Sequence, residues 1–255
     1  MFGFAAAMTG LNPVQSPDPM PRQARLMLAG QAYHVIQRGV NKGAIFVDDT
    51  DRQLFLHLLH SAFLKHHVAL HAYVLMGNHV HLLATPSTQQ GLAGAMRMQG
   101  NNYVQAFNQR HGRSGPLWQG RFHSSMIDSD AHLLSVYRYI ERNPVRAGIA
   151  VSAEDHPWSS VHGNLQRRDD PMLTQHPAFK ALAATGLKRA TLYAEFLRDV
   201  NASADVPAIR NHSARQRPMG NDAFLRMVEQ TLGRPVEMRG RGRPRKEGTG
   251  EAKTT

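Results

Sequence analysis

The chain has no cysteine among its 255 residues. That excludes disulfides, a thiolate nucleophile and every cysteine-based zinc site, and it suits a reducing compartment, so the expected location is the cytoplasm. There is no apolar run near the roughly 20 residues that a membrane-spanning helix needs, so no membrane partner is expected. The opening "MFGFAAAMTGLNPVQSPDP" lacks the basic start and long apolar stretch of a secretory signal. Residues 1–20 read as a disordered leader, with Met20 as a second candidate start. Acidic residues are scarce: 19 Asp plus Glu stand against 30 Lys plus Arg, a net charge of +11. A surplus of that size points to a polyanion such as nucleic acid.

Histidine, by contrast, is plentiful, with 15 copies. Two of them lie one residue apart in "AYVLMGNHVHLLATP", residues 72 to 86. Chance at this frequency gives about one His-x-His in the chain, so the pair means little without its context. That context is a hairpin: the apolar runs 69–76 and 79–85 flank Gly77-Asn78, a two-residue turn signal. On a helix, residues two apart point about 200° from each other; on a strand they share a face. The hairpin therefore sets His79 and His81 side by side, with Val80, Leu82 and Ala84 on the buried face. Two ligands are too few for a metal site, which needs a third protein group and open positions for substrate.

The stretch "SDAHLLSVYRYIERNPVRAG", 129 to 148, reads as a helix starting near Asp130 and stopped by Pro144, because the residue before proline avoids helical geometry. Tyr139 and Asn143 are four apart and share one face; Tyr137 and Glu141 share another, which marks Tyr137 as core. If the Tyr139 face covers the hairpin, one surface displays two imidazoles, an amide oxygen and a phenol. That set suits phosphoryl transfer: with a divalent cation polarising a phosphate oxygen, the Tyr139 oxygen attacks phosphorus and keeps it as a phosphotyrosine.

Elsewhere, 31–47 suggests strands around a turn, and 48–68 a helix capped by Asp48 to Asp51. A second helix is expected over 88–111, a Gly/Pro loop over 111–121, and helices near 176–184, 188–200 and 221–232. Residues 165–171 look like a linker.

Taken in order, "YVLMGNHVHLL", "GPLWQGRF", "SDAHLLSVYRYIERNPVRAGI" and "PWSSVHGN" resemble the single-tyrosine HUH transposases of small insertion sequences. The branch most similar is the REP-associated tyrosine transposases, over about residues 21–165. The resemblance implies an α+β fold: an RRM-like (ferredoxin-like) antiparallel sheet flanked by helices. It also implies that His79, His81 and Asn143 bind a divalent metal and that Tyr139 is the nucleophile. The substrate would be single-stranded DNA, often with a hairpin beside the cut, giving a 5′-phosphotyrosine and a free 3′-hydroxyl. Gly77 stands where the family often has an acid, and Phe122 where tyrosine is common; the first bears only on the turn, the second on a DNA-stacking surface. Imidazole ligands favour zinc, copper or manganese, while phosphate and an amide oxygen favour magnesium or manganese. Mg²⁺ or Mn²⁺ is the expected metal, mainly from the resemblance.

The organisation expected is therefore a leader (1–20), a catalytic domain (21–165), a small helical C-terminal region (166–232) and a disordered basic tail (233–255). In the tail, "RGRGRPRK" resembles an AT-hook, with Arg241 and Arg243 entering the minor groove of A·T-rich duplex DNA; a generic phosphate-binding tail is the equal alternative. Arg121 and Arg146 flank the expected site and are candidates for gripping phosphate, although lone arginines are more often plain surface charge. Trp118 either stacks a base or anchors its loop. His57, His60, His66 and His67 read as surface residues. One tyrosine makes one cut, so an excision takes two events or two subunits, as in a homodimer. Two other functions compete: a DNA-binding relative that no longer cuts, and a metallohydrolase that uses water instead of tyrosine.

Overall fold

The computed structural model describes residues 25–128, 132–199 and 204–236. The leader, Asp130 and the basic tail with Arg241 and Arg243 lie outside the described residues.

Four strands form one antiparallel sheet: β1 (Ala32–Arg38), β2 (Val68–Met76), β3 (His79–Pro86) and β4 (His123–Ile127). Their spatial order is β2-β3-β1-β4. Helix α1 (Asp49–Lys65) connects β1 to β2, and α2 (Gly91–Arg110) connects β3 to β4. This β-α-β-β-α-β order is the ferredoxin-like layout. The hairpin forms as its pattern predicts, with Met76 opposite His79 across Gly77-Asn78. Asp48 caps α1 by accepting a hydrogen bond from the Asp51 amide.

Residues 31–47 behave differently from expectation. Only their first half is a strand; Val40–Lys42 form a single 3₁₀ turn, and Asn41 and Lys42 adopt left-handed φ angles. The chain after Gly39 turns back so that Ile45 donates its amide to Gly77, and Ile45 and Phe46 enter the core. The strand β4 is an addition to the elements read from the sequence.

The two faces of the sheet carry separate cores. Tyr33, Val35, Val80, Leu82, Ala84 and Met126 pack against α1 and α2. A β-bulge at His71 shifts the alternation of β2, so that Leu70 and Tyr73 both face this core. The opposite face presents Ala32, Val74, Met76, Leu83 and Ile127 to a second core. That core is closed by α3 (Leu133–Glu141), α5 (Val161–Asn164), α6 (Pro177–Lys180), α7 (Gly186–Arg198) and α8 (Val206–Arg215). Between α3 and α5 lies the one-turn α4 (Asn143–Arg146); the last helix is α9 (Asp222–Leu232), whose Val228 joins the first core. The cap expected at Asn221 is present, accepting from the Phe224 amide. Helix α6 is one turn where nine residues were expected, and α8 was not anticipated.

The helices on the second face leave one end of the sheet uncovered, where β1, β3 and β4 present Ile36, Arg38, His79, His81 and His123. That opening is the candidate site.

Candidate active site and nucleic-acid cleft

His79 and His81 project from the same face of β3, opposite Arg38 and Ile36 of β1. Their ring centroids lie 5.0 Å apart. Both rings are tied through Nδ1. His79 Nδ1 pairs with the Asn78 side-chain oxygen at 2.6 Å, and His81 Nδ1 with His34 Nε2 at 2.8 Å. With Nδ1 used in each ring, Nε2 is the nitrogen left for a ligand, the arrangement in which an outer partner orients a metal-binding imidazole. Burial, reinforced by Arg38, lowers His79 to a pKa of about 4. Burial also holds His81 well below the usual histidine range, helped by His34. Both rings are therefore neutral near pH 7, as metal ligation requires.

Tyr139 comes from α3, whose two faces divide as the four-residue spacing predicts. Tyr137 is fully buried against Phe179, with ring centroids 5.0 Å apart, and Glu141 is buried beside it. Tyr139 turns the other way, its ring 5.8 Å from that of His81 and 5.5 Å from that of His34. The expected stop at Pro144 takes a specific form. Helix α3 ends at Glu141, Arg142 leaves helical geometry (ψ 6°), and α4 restarts at Asn143 with Pro144 in its first turn, where a missing N–H costs nothing. Asn143 still reaches the wall of the same cleft as Tyr139, His79 and His81.

That cleft has a volume of about 800 Å³. Arg25, Arg38, Arg121 and Arg210 line it, and among the described residues no acidic side chain does. Of the arginines singled out from sequence, Arg121 is exposed on this wall. Arg146 is not among the lining residues. It sits half-buried behind the phenol, with its Cζ 4.2 Å from the centre of the Tyr139 ring and a guanidinium nitrogen donating to the Tyr139 carbonyl. Burial lowers Arg146 to a pKa of about 10. Phe122 is buried, and one face of its ring is covered by the Arg25 guanidinium at 3.8 Å. Trp118 anchors its loop, its indole N–H directed at the Gly100 carbonyl beside Tyr103 and Phe55.

Sequence reading missed His34, Arg25, Arg38, Arg210 and Ser213. Alternation along β1 places His34, Ile36 and Arg38 on one face, so the first and third were accessible to the reasoning used on β3. Arg210 and Ser213 belong to α8, which the fold alone brings to the site.

Residues 28–143 match the family model described as "Transposase IS200 like". Over this stretch the chain is similar to the IS200-like transposases. The stretch spans β1 to the first residue of α4, and so contains His79, His81, Tyr139 and Asn143. No curated protein matches the chain. Among solved structures, a REP-associated tyrosine transposase bound to a REP hairpin aligns with a TM-score of 0.48 and 19% identity, covering 62% of this chain and 93% of that one. A provisionally assigned transposase from Deinococcus radiodurans R1 aligns with a TM-score of 0.32 and 22% identity, covering 48% and 97%. A pyridine synthase of thiomuracin biosynthesis aligns with a TM-score of 0.24 and 14% identity, covering 83% and 76%. At such scores these likenesses carry no inference of their own.

The site's donors suit a divalent cation: two neutral imidazoles with oriented Nε2 atoms, and the Asn143 amide on the same wall. Among the described residues no group of three His, Cys, Asp or Glu side chains could hold a metal ion. The third protein donor would thus be the Asn143 oxygen, leaving further positions to phosphate or water. Among the described residues no helix is long and apolar enough to cross a membrane.

Proposed function

We propose that this transposase-like domain cuts and rejoins single-stranded DNA through Tyr139. One observation carries the reading: Tyr139, His79, His81 and Asn143 share the wall of a single cleft whose charged lining, among the described residues, is arginine. Arg38, Arg121 and Arg210 hold the strand by its phosphates. His79, His81 and Asn143 would hold Mg²⁺ or Mn²⁺, which when bound polarises a non-bridging oxygen of the scissile phosphate.

The chemistry is a transesterification. The Tyr139 oxygen bonds to phosphorus, the bond from phosphorus to the 3′ oxygen breaks, and that oxygen leaves as a 3′-hydroxyl. The proton lost by the phenol balances the one gained by the 3′ oxygen, with water as the carrier. The 5′ phosphate stays on Tyr139, so the bond energy is retained and a second 3′-hydroxyl reverses the step. Arg146, over the phenol ring, favours negative charge on the attacking oxygen. One tyrosine makes one cut, so a complete excision takes two subunits or two successive events.

Single strands with a hairpin are the substrates to try first, as the resemblance of the sequence motifs implies. The basic tail is proposed to hold neighbouring duplex, through Arg241 and Arg243 or through unspecific phosphate contacts. Labelled oligonucleotides from the gene's own flanks, incubated with protein and Mn²⁺ or Mg²⁺, test the proposal on a denaturing gel. The expected result is a metal-dependent band at protein size that disappears in Tyr139→Phe and in His79→Ala. Cutting that survives Tyr139→Phe points instead to hydrolysis by water. Binding without cutting or adduct points to a DNA-binding relative.

A further inference from the structure

His34 lies at the centre of a hydrogen-bonded chain that reaches from helix α8 to the cleft. It is completely buried. Its Nδ1 is 2.8 Å from Ser213 Oγ, and its Nε2 is 2.8 Å from His81 Nδ1. The two imidazoles are stacked, with centroids 5.1 Å apart and planes 18° from parallel. All three side chains are buried.

We infer that His34, held by Ser213, is a positioning residue that selects the metal-binding tautomer of His81. A neutral imidazole carries one N–H, so this chain has only two complete hydrogen-bond arrangements. In one, His81 Nδ1–H donates to His34 Nε2, and His34 Nδ1–H donates to Ser213 Oγ. His81 Nε2 then turns a bare lone pair to the cleft. In the other, every donor is reversed: Ser213 donates to His34, His34 donates to His81, and His81 presents an Nε2–H that cannot ligate anything. The first arrangement, in which the Ser213 oxygen accepts and both rings carry Nδ1–H, is the one that the proposed metal site requires. His79 receives the same treatment from Asn78, whose carbonyl oxygen can only accept and so fixes Nδ1–H. Both proposed ligands are thereby set to coordinate through Nε2, one by a turn residue and the other by a buried histidine backed by α8.

The inference rests on the proposed metal site, and its test separates the two. The full-length protein, labelled with ¹⁵N in its histidines and free of metal, reports ring tautomers by NMR. His34 and His81 are expected as Nδ1–H forms; finding His81 as the Nε2–H form overturns the inference with no reference to metal. Mn²⁺ titration then compares the parent with His34→Phe, which keeps a ring but removes the acceptor, and with His34→Gln, whose amide oxygen can accept from His81. Mn²⁺ affinity is expected to fall about tenfold or more in His34→Phe, the usual effect of losing an outer partner. His34→Gln should stay within about threefold of the parent on the same grounds. If His34→Phe does not fold, Ser213→Ala takes its place, and it should weaken Mn²⁺ binding and mix the His81 tautomers. Unchanged Mn²⁺ affinity in His34→Phe, or equal loss in Phe and Gln, overturns the positioning role. A parent that binds no Mn²⁺ refutes the metal site itself, while the tautomers still judge the relay.

Discussion

Arg146 and Arg121 sit about as far apart in role as two arginines of one site can. Arg146 covers the Tyr139 ring and holds its backbone carbonyl; Arg121 stands exposed on the cleft wall. Their variants should therefore fail in different ways. Arg146→Lys keeps the charge but loses the planar stack, and is expected to slow adduct formation at least about tenfold, or ~1.4 kcal/mol of barrier, with DNA affinity unchanged. Single-turnover kinetics beside a binding isotherm would show this; a loss confined to affinity would contradict it. Arg121→Gln should instead weaken binding of single strands and reduce the slope of log affinity against log salt by about 0.7, the value of one lost phosphate contact. An unchanged salt slope would remove Arg121 from the contact surface.

At the scale of the element, α3 works as a two-sided part. Tyr139 faces the cleft, while Glu141 on the opposite side accepts from Ser160 (2.6 Å), Asn164 (2.8 Å) and Tyr193 (2.7 Å), joining α3 to α5 and α7. Glu141→Leu leaves the Tyr193 hydroxyl and one Asn164 N–H buried without an acceptor, while Ser160 keeps the Tyr73 carbonyl at 3.2 Å; at about 1–3 kcal/mol for each orphan it should cost at least ~2 kcal/mol. Urea unfolding measures this, and a loss below about 1 kcal/mol would mean the donors find other partners. The same helix shows what a sequence makes legible. Its period separates Tyr139 from Tyr137 without any knowledge of the fold, just as strand alternation put His79 and His81 on one face. β4 escaped notice because "HSSMI" offers only Met126 and Ile127 as apolar residues, and its pairing with β1 supplies the rest. α8 escaped because "VPAIRNHSAR" has only Val206 and Ile209 as large apolar residues, and its place against β1 and β4 is a product of tertiary packing. Arg210 and Ser213 were thus beyond the reach of local pattern, whereas His34 was not.

Across the whole molecule, burial of neutral histidines makes stability depend on pH. His71, clear of the cleft, is bonded to the Thr174 carbonyl and the Thr85 hydroxyl, and burial lowers it to about 4. Below about pH 6.5 the unfolded chain takes up a proton that the folded chain refuses, so stability falls from there towards pH 4 and is complete above 6.5. Glu141 acts in the opposite sense: burial raises it to about 7, so above the ordinary carboxylate range the folded chain keeps a proton that the unfolded chain has lost. Stability from that source falls as pH rises. Comparing His71→Gln with the parent cancels the Glu141 contribution. The variant's slope of unfolding free energy against pH, between about 4.5 and 6, should be shallower by up to about 1.4 kcal/mol per pH unit. Equal slopes would show that His71 is protonated in the folded chain.

In the proposed reaction Tyr139, and no other group, takes the DNA phosphate. Digesting the protein–DNA adduct with protease and nuclease, and locating the residual nucleotide by mass spectrometry, identifies the acceptor. The expected result is a nucleotide phosphate on the peptide that contains Tyr139, with the peptide of Tyr137 unmodified. A nucleotide on Tyr137, or on any residue outside the cleft, would contradict it.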